Sequence, residues 1–146
     1  MFAYLSASQA NLLAEAIHPP AVPPYYDNGY PMSNTRLLLV DDHVLFRESL
    51  SRLLQLEPDF EIAGQCGTGV DALEFLARDS PDMVLLDFNL PDNLGTSVIQ
   101  SAREAGYGGK ILLVTGAMDA DASFEALQVG VSGIFFKHNQ IGRAHV

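Results

Sequence analysis

Short apolar runs alternate with stretches of helical periodicity from Arg36 onward. Each run is almost continuous in Leu, Ile, Val and Phe, which is typical of parallel strands covered by helices on both faces. The predicted strands are LLLV (37–40), MVLL (83–86), ILLV (111–114), IFF (134–136) and a weaker run, FEIAGQC (60–66). The pattern therefore predicts a parallel sheet.

The segments between the runs predict four helices, because their apolar positions recur at intervals that share one side of a helix. Gly130 is the predicted end of the fourth helix. The β-α alternation predicts a doubly wound α/β sheet with right-handed crossovers. The apolar positions are Val44, Leu45, Leu50, Leu53, Leu54 and Leu56 in the first helix, Ala72, Leu73, Phe75, Leu76 and Ala77 in the second, Val98, Ile99 and Ala102 in the third, and Phe124, Ala126, Leu127 and Val129 in the fourth.

Polar residues follow four of the predicted strands. Asp41 and Asp42 follow LLLV, Asp87 follows MVLL, Thr115 follows ILLV, and Lys137 follows IFF. In an open α/β sheet, ligands bind at the carboxyl ends of the strands, where the strand order reverses. We therefore expect these side chains to converge on one edge of the sheet.

Three carboxylates at one edge repel one another, and a hard divalent cation such as Mg²⁺ relieves that repulsion. A carboxylate nucleophile beside a metal, a lysine and a hydroxyl is suited to phosphoryl transfer onto aspartate. Asp87 stands alone after a central strand, so it is the predicted nucleophile. Asp41 and Asp42 are the predicted metal-binding pair.

Composition narrows the classes of function. The 146 residues carry 18 acidic and 8 basic side chains, a formal net charge of −10. Such a surface repels phosphate backbones, so we expect no direct nucleic-acid binding by this segment. No apolar run approaches the ~20 residues of a membrane span, and the single cysteine, Cys66, cannot form an internal disulfide. We expect a cytoplasmic domain without membrane contact.

The first part of the chain differs from the rest. Residues 1–18 predict a weak amphipathic helix through Leu5, Leu12, Leu13, Ala16 and Ile17. Five prolines between 19 and 31 then favour an extended linker. We interpret residues 1–33 as a disordered or Pro-rich extension, and Met32 offers an alternative start of translation.

The chain resembles the receiver domain of two-component response regulators across residues 34–140. That resemblance implies a flavodoxin-like five-stranded parallel sheet in the order 2-1-3-4-5. The intervals from Asp42 to Asp87, Thr115 and Lys137 are also of receiver type. The matching segments are LLLVDDHVLFRESL (37–50), MVLLDFNLPD (83–92), ILLVTG (111–116) and GIFFKH (133–138).

The resemblance implies that Asp87 accepts a phosphoryl group from a sensor histidine kinase with the help of Mg²⁺. A conformational switch would follow and control a downstream, transcriptional output. The other matched positions are Asp42 for direct contact with Mg²⁺, Asp41 for contact mainly through water, Asn89 for a backbone carbonyl ligand, Thr115 and Lys137 for binding the phosphoryl group, and Gly116 and Ala117 for donor access.

Two departures from the family pattern stand near the fifth strand. Ile134 occupies a switch position that is usually aromatic, so an aliphatic repacking is expected in place of the usual relay. His138 stands where many receivers have proline; together with DDHVLFRESL, it resembles the subfamily with a C-terminal LuxR-type helix-turn-helix domain. The resemblance also implies a homodimer through the face of the fourth helix and fifth strand.

The C-terminal segment predicts an interrupted domain. Only HNQIGRAHV follows the fifth strand, too little for a complete fifth helix. Residues 141–146 coincide with one reading frame of a common sequencing adapter, so we interpret them as a foreign tail after Gln140. The uncovered apolar surface is then expected to be exposed and adhesive.

Two alternatives remain open. A haloacid-dehalogenase-type phosphatase also uses an aspartate nucleophile and Mg²⁺, but usually carries D-x-D where this chain has adjacent Asp41 and Asp42. A degenerate receiver that binds partners constitutively is the other. Intact Asp87, Thr115 and Lys137 speak against it, whereas Ile134 and the incomplete fifth helix keep it open. Apart from catalysing its own phosphorylation and dephosphorylation, the predicted receiver is not an enzyme.

Overall fold

Five parallel strands form one sheet in the order β2-β1-β3-β4-β5. A computed structural model describes residues 6–17, 34–116 and 118–137. The predicted α/β architecture and strand order are confirmed, and no predicted strand end is displaced by more than two residues. The strands are β1 (Thr35–Val40), β2 (Phe60–Cys66), β3 (Met83–Leu86), β4 (Lys110–Thr115) and β5 (Gly133–Phe136).

Helices cover both faces of the sheet. The described helices are α1 (Ala7–Ile17), α2 (Val44–Gln55), α3 (Gly69–Arg78), α4 (Gly95–Glu104) and α5 (Ala120–Gln128). Alternate strand residues point to opposite faces. Leu38 and Leu86 therefore pack in the cluster that α3, α4 and α5 cover, whereas Leu37 and Leu85 pack in the cluster that α1 and α2 cover. None of the described helices is long and apolar enough to cross a membrane.

The buried side of α2 differs from the predicted one. Val44, Leu45 and Leu56 were predicted to line the inner side, but they are 52%, 70% and 78% exposed. The buried side is formed instead by Phe46, Leu50 and Leu54, which are spaced at intervals of four residues and therefore lie on one side of the helix.

Small residues bring two other helices close to the sheet. In α5 only Ala126 is fully buried, and the predicted inner residues Phe124 and Leu127 are 63% and 58% exposed. In α3 Ala72 is fully buried, whereas the predicted Ala77 is exposed. Both predictions overestimated the width of the buried stripe of the helix. Each helix contacts the sheet through a small alanine, and the neighbouring residues on that helix remain outside the contact.

The N-terminal helix α1 packs against the sheet. The predicted helix is present, but its inner side is formed by Ala10, Leu13, Ala14 and Ile17, whereas Leu12 is 37% exposed. These residues join the cluster on the face that carries α2. Thus α1 adds a second helix to the face of the sheet that carries α2. The predicted linker, C-terminal tail and incomplete last helix lie outside the described residues.

Glycine ends α4 and α5 in the same way. Gly106 and Gly130 have φ angles of +98° and +100°. After α4, the Gly106 N–H donates to the Arg103 carbonyl and the Tyr107 N–H donates to the Ala102 carbonyl, both at 3.0 Å. This pattern is a Schellman motif, in which a left-handed residue satisfies the last carbonyls of a helix.

The Gly106→Ala substitution should lower the free energy of unfolding by about 1 kcal/mol, because a side chain at positive φ is strained. An added methyl group meets no atom within 4 Å, so the backbone alone carries this cost. Gly108→Ala is the matched control: its site is equally open, and its φ is not positive. Urea denaturation should show that control unchanged or stabilised by about 0.5 kcal/mol. Equal losses in both variants would contradict the argument.

Candidate functional site

The carboxyl ends of β1, β3 and β5 bring three predicted site residues together. Asp41, Asp87 and Lys137 are 4%, 3% and 1% exposed. The Lys137 ammonium lies 2.7 Å from Asp41 Oδ2 and 3.7 Å from Asp87 Oδ2. A buried ammonium thus lies between two buried carboxylates that are distant in the sequence.

Asp42 and His43 complete the polar cluster on its solvent side. Ligand atoms of Asp41, Asp42, His43 and Asp87 all lie within 4.8 Å of one another. His43 Nδ1 is 2.9 Å from Asp41 Oδ1, 3.5 Å from Asp42 Oδ1 and 3.9 Å from Asp87 Oδ2. His43 is thus an exposed residue that contacts all three carboxylates of the cluster.

Burial disfavours the charged form of Asp87. Desolvation raises the pKa of Asp87, the nearby Asp41 carboxylate raises it further, and Lys137 opposes the shift. The backbone N–H of Asn89 donates to Asp87 Oδ1 at 3.3 Å and also favours the carboxylate. Because the net pKa is raised, an ionised Asp87 opposes folding, so a cation at the cluster would stabilise the domain.

The other predicted site residues that the structure describes lie on or close to the ends of β3, β4 and β5. Thr115 is fully buried at the end of β4, and its carbonyl accepts the Lys137 N–H at 2.8 Å. The Asn89 side chain is exposed, and Gly116 is half-buried. Ile134 is partly buried and packs against the hydrophobic core that α3, α4 and α5 cover. Ala117 lies outside the described residues.

Two further residues contact Lys137 and were not identified from the sequence. The Phe46 ring lies beneath the ammonium, with Nζ 4.1 Å from the ring centroid. The Gln9 side-chain amide donates to the Lys137 carbonyl at 2.6 Å. Phe46 could have been found from its position in the matched DDHVLF segment. Nothing in the sequence links Gln9 to a residue 128 positions away.

The donor set fits a hard divalent cation. Asp41, Asp42 and Asp87 bring three carboxylates together, whereas Lys137 is the one ammonium at their centre among the described residues. The cluster therefore carries excess negative charge, and carboxylate oxygens are the ligands Mg²⁺ prefers. His43 is less suited to Mg²⁺ and more suited to orienting Asp41.

Comparison with known families decides the class of the protein. Residues 37–145 match the family model described as the response regulator receiver domain. The chain belongs to this family. This confirms the resemblance and leaves the phosphatase alternative without support. Receiver domains are generally signalling domains rather than enzymes, and sensor histidine kinases phosphorylate them.

This receiver domain is similar to part of several curated regulatory proteins. It is 30% identical to the transcriptional regulatory protein DegU of Brevibacillus brevis, over 73% of this chain and 54% of DegU. It is 29% identical to the nitrate/nitrite response regulator protein NarL of Escherichia coli K12, over 69% of this chain and 47% of NarL. The chain spans about half the length of the curated relatives it matches.

Solved structures agree with that assignment. The signal receiver domain of the response regulator NarL from Mycobacterium tuberculosis has a TM-score of 0.70 and 30% identity, covering 74% of this chain and 87% of that chain. A two-component response regulator of the LuxR family from Aurantimonas has a TM-score of 0.70 and 26% identity, covering 76% of this chain and 79% of that chain. The receiver domain therefore has the flavodoxin-like fold and is similar to regulators of the LuxR family.

Proposed function

We propose that this receiver domain accepts a phosphoryl group on Asp87 from a sensor histidine kinase in the cytoplasm. The observation that carries the proposal is the position of Asp87. Its buried carboxylate lies 3.7 Å from the Lys137 ammonium and within the carboxylate cluster. Cys66 is the single cysteine and is buried without a disulfide, which is common in a reducing compartment such as the proposed one.

In the proposed transfer, an oxygen of Asp87 attacks phosphorus in line with the bond to the donor nitrogen. The P–N bond of the kinase phosphohistidine breaks, and its electron pair stays on the imidazole. Lys137 stabilises the developing charge on the phosphoryl oxygens. Asp41, Asp42, Asp87 and the Asn89 carbonyl would hold Mg²⁺. When bound, Mg²⁺ would neutralise the oxygens of the transferred group.

The response to the new charge would use the residues that surround the cluster. In the proposal, the Thr115 hydroxyl and the Lys137 ammonium bind the phosphoryl group, and Gly116 and Ala117 leave room for the donor. Repacking of Ile134 would then alter the surface of α5 and β5. Phe124 and Leu127 expose apolar area on α5, which supports homodimerisation through that face. The proposed output is transcriptional, in line with the relatives.

The test is incubation with acetyl phosphate and Mg²⁺, followed by intact-mass analysis. We expect one base-labile phosphoryl adduct on the wild-type chain. The adduct should not form when Mg²⁺ is chelated, nor in Asp87→Asn. The matched control is Asp82→Asn, because Asp82 is exposed at the opposite end of β3. Unchanged labelling of Asp87→Asn would contradict the assignment. A wild-type chain without any adduct would indicate the degenerate receiver, and turnover of phosphate esters would indicate a phosphatase.

A further inference from the structure

The helix α1 begins with a reciprocal pair of hydrogen bonds that orients Gln9. The Gln9 N–H donates to the Ser6 hydroxyl at 3.2 Å, and the Ser6 N–H donates to Gln9 Oε1 at 3.0 Å. This S-x-x-Q arrangement is a capping box, which satisfies two backbone donors at the start of a helix. Since Oε1 is the acceptor, Nε2 is left facing the core.

Gln9 Nε2 donates to the Lys137 carbonyl at 2.6 Å, and Gln9 itself is 7% exposed. The Lys137 N–H is held by the Thr115 carbonyl on the other side. Both backbone polar groups of Lys137 are therefore hydrogen-bonded, the N–H to β4 and the carbonyl to α1. The side chain then runs past Phe46 to Asp41 and Asp87.

The anchor on Lys137 depends on the docking of α1. Leu13 is fully buried, and Ala10 and Ile17 are 5% and 3% exposed in the cluster that α1 shares with α2. Gln9 lies one turn before Leu13 on the same side of the helix. Release of α1 would remove the hydrogen bond from the Lys137 carbonyl.

We propose that α1 is part of the phosphorylation site and that Gln9 is a positioning residue, which holds Lys137 where its ammonium meets the group on Asp87. The inference rests on the proposed function and extends it to the N-terminal segment. The receiver family match begins at residue 37, so α1 lies outside it. The rate of phosphoryl transfer would therefore depend on whether α1 is docked on the sheet.

The test uses the full chain and compares Gln9→Met with Ser6→Ala. Gln9→Met keeps the length of the side chain and removes the donor to Lys137. Ser6→Ala removes the hydroxyl of the capping box and leaves that donor in place. The initial rate of Asp87 phosphorylation by acetyl phosphate is measured across a Mg²⁺ titration.

We expect Gln9→Met to lower the maximal rate about fivefold, the factor that one hydrogen bond typically contributes. The Mg²⁺ concentration that gives half of that rate should change little, because Gln9→Met leaves the three carboxylates and the charge of Lys137 at the cluster. Ser6→Ala should keep most of the wild-type rate. A general loss of structure would instead shift both quantities. Leu13→Ala, which weakens the packing of α1 and keeps Gln9, should lower the maximal rate in the same direction as Gln9→Met.

A second measurement reads the position of Lys137 without phosphorylation. The chain contains two lysines, of which Lys137 is 1% exposed and Lys110 is exposed. Brief acetylation with acetic anhydride, quantified by peptide mass spectrometry, should modify Lys137 faster in Gln9→Met and Leu13→Ala than in the wild type. Lys110 is the internal reference.

Wild-type rates together with wild-type acetylation in Gln9→Met would overturn the inference. A maximal rate that falls while the half-saturating Mg²⁺ concentration shifts equally would also overturn it, because Gln9 would then support the whole site. If the wild type accepts no phosphoryl group, the proposed function fails. Acetylation of Lys137 then decides alone whether α1 positions it.

Discussion

We expect Lys137→Met to lower the free energy of unfolding by about 3–5 kcal/mol at pH 7 without divalent cations, because it leaves buried carboxylates uncompensated. The ammonium is 1% exposed and lies 2.7 Å from Asp41 and 3.7 Å from Asp87. Methionine fills most of the same volume but removes the ammonium, including its contact with the Phe46 ring. The loss therefore reports the charge rather than a cavity.

Urea denaturation measures the Lys137→Met effect, with Lys110→Met as the matched control. Lys110 is exposed at the start of β4, so its substitution should change stability by less than about 0.5 kcal/mol. Combining Lys137→Met with Asp41→Asn should recover about 1–3 kcal/mol relative to the sum of the single effects, because the two groups are in contact. Additive effects would show that the ion pair is not the cause.

The same variant has a defined pH dependence. Lys137 lowers the pKa of Asp87 against the raising effect of burial, so its removal should raise that pKa further. A carboxyl group whose pKa is raised in the folded state lowers the free energy of unfolding of the protein as it ionises. This loss develops as pH rises from the unfolded pKa, about 3.9, through the folded pKa. The deficit of Lys137→Met should therefore shrink as pH falls through that window. Millimolar Mg²⁺ should also reduce it, because a bound cation would neutralise the same carboxylates.

The sheet and the acidic cluster could be predicted from the sequence because both depend on a short-range signal. Strands buried on both faces are continuous apolar runs, and MVLL and FEIAGQC match β3 and β2 at both ends. Parallel strands place their carboxyl ends at one edge. Asp41, Asp87 and Lys137 therefore had to lie near one another once the strand order was known.

Helix faces and α1 could not be predicted in the same way. The inner side of α2 depends on which apolar residues meet the sheet, and Phe46 displaces Val44 and Leu45 from that role. The helical pattern of α1 is visible in the sequence, but its partners are not. The contact between Gln9 and Lys137 joins residues 128 positions apart, and it exists only because the α2 face accepts a second helix.

The contribution of α1 to the core gives the other large expected effect. Leu13→Ala should lower the free energy of unfolding by about 2–5 kcal/mol, as large-to-small substitutions at fully buried positions do. Leu54→Ala should lower it to a similar extent, because Leu54 on α2 is also fully buried and belongs to the same cluster. Leu12→Ala is the matched control on α1, since Leu12 is 37% exposed.

Urea denaturation followed by far-ultraviolet circular dichroism distinguishes two ways in which α1 could contribute. If α1 unfolds together with the sheet, Leu13→Ala and Leu54→Ala shift a single transition by similar amounts, and Leu12→Ala shifts it much less. If α1 releases first, the cost of Leu13→Ala cannot exceed the free energy of docking this one helix, and its effect falls below that of Leu54→Ala. Equal small effects of Leu13→Ala and Leu12→Ala would contradict the packing of α1 on the sheet. In that case the α2 face would need another cover, and Gln9 could not hold Lys137.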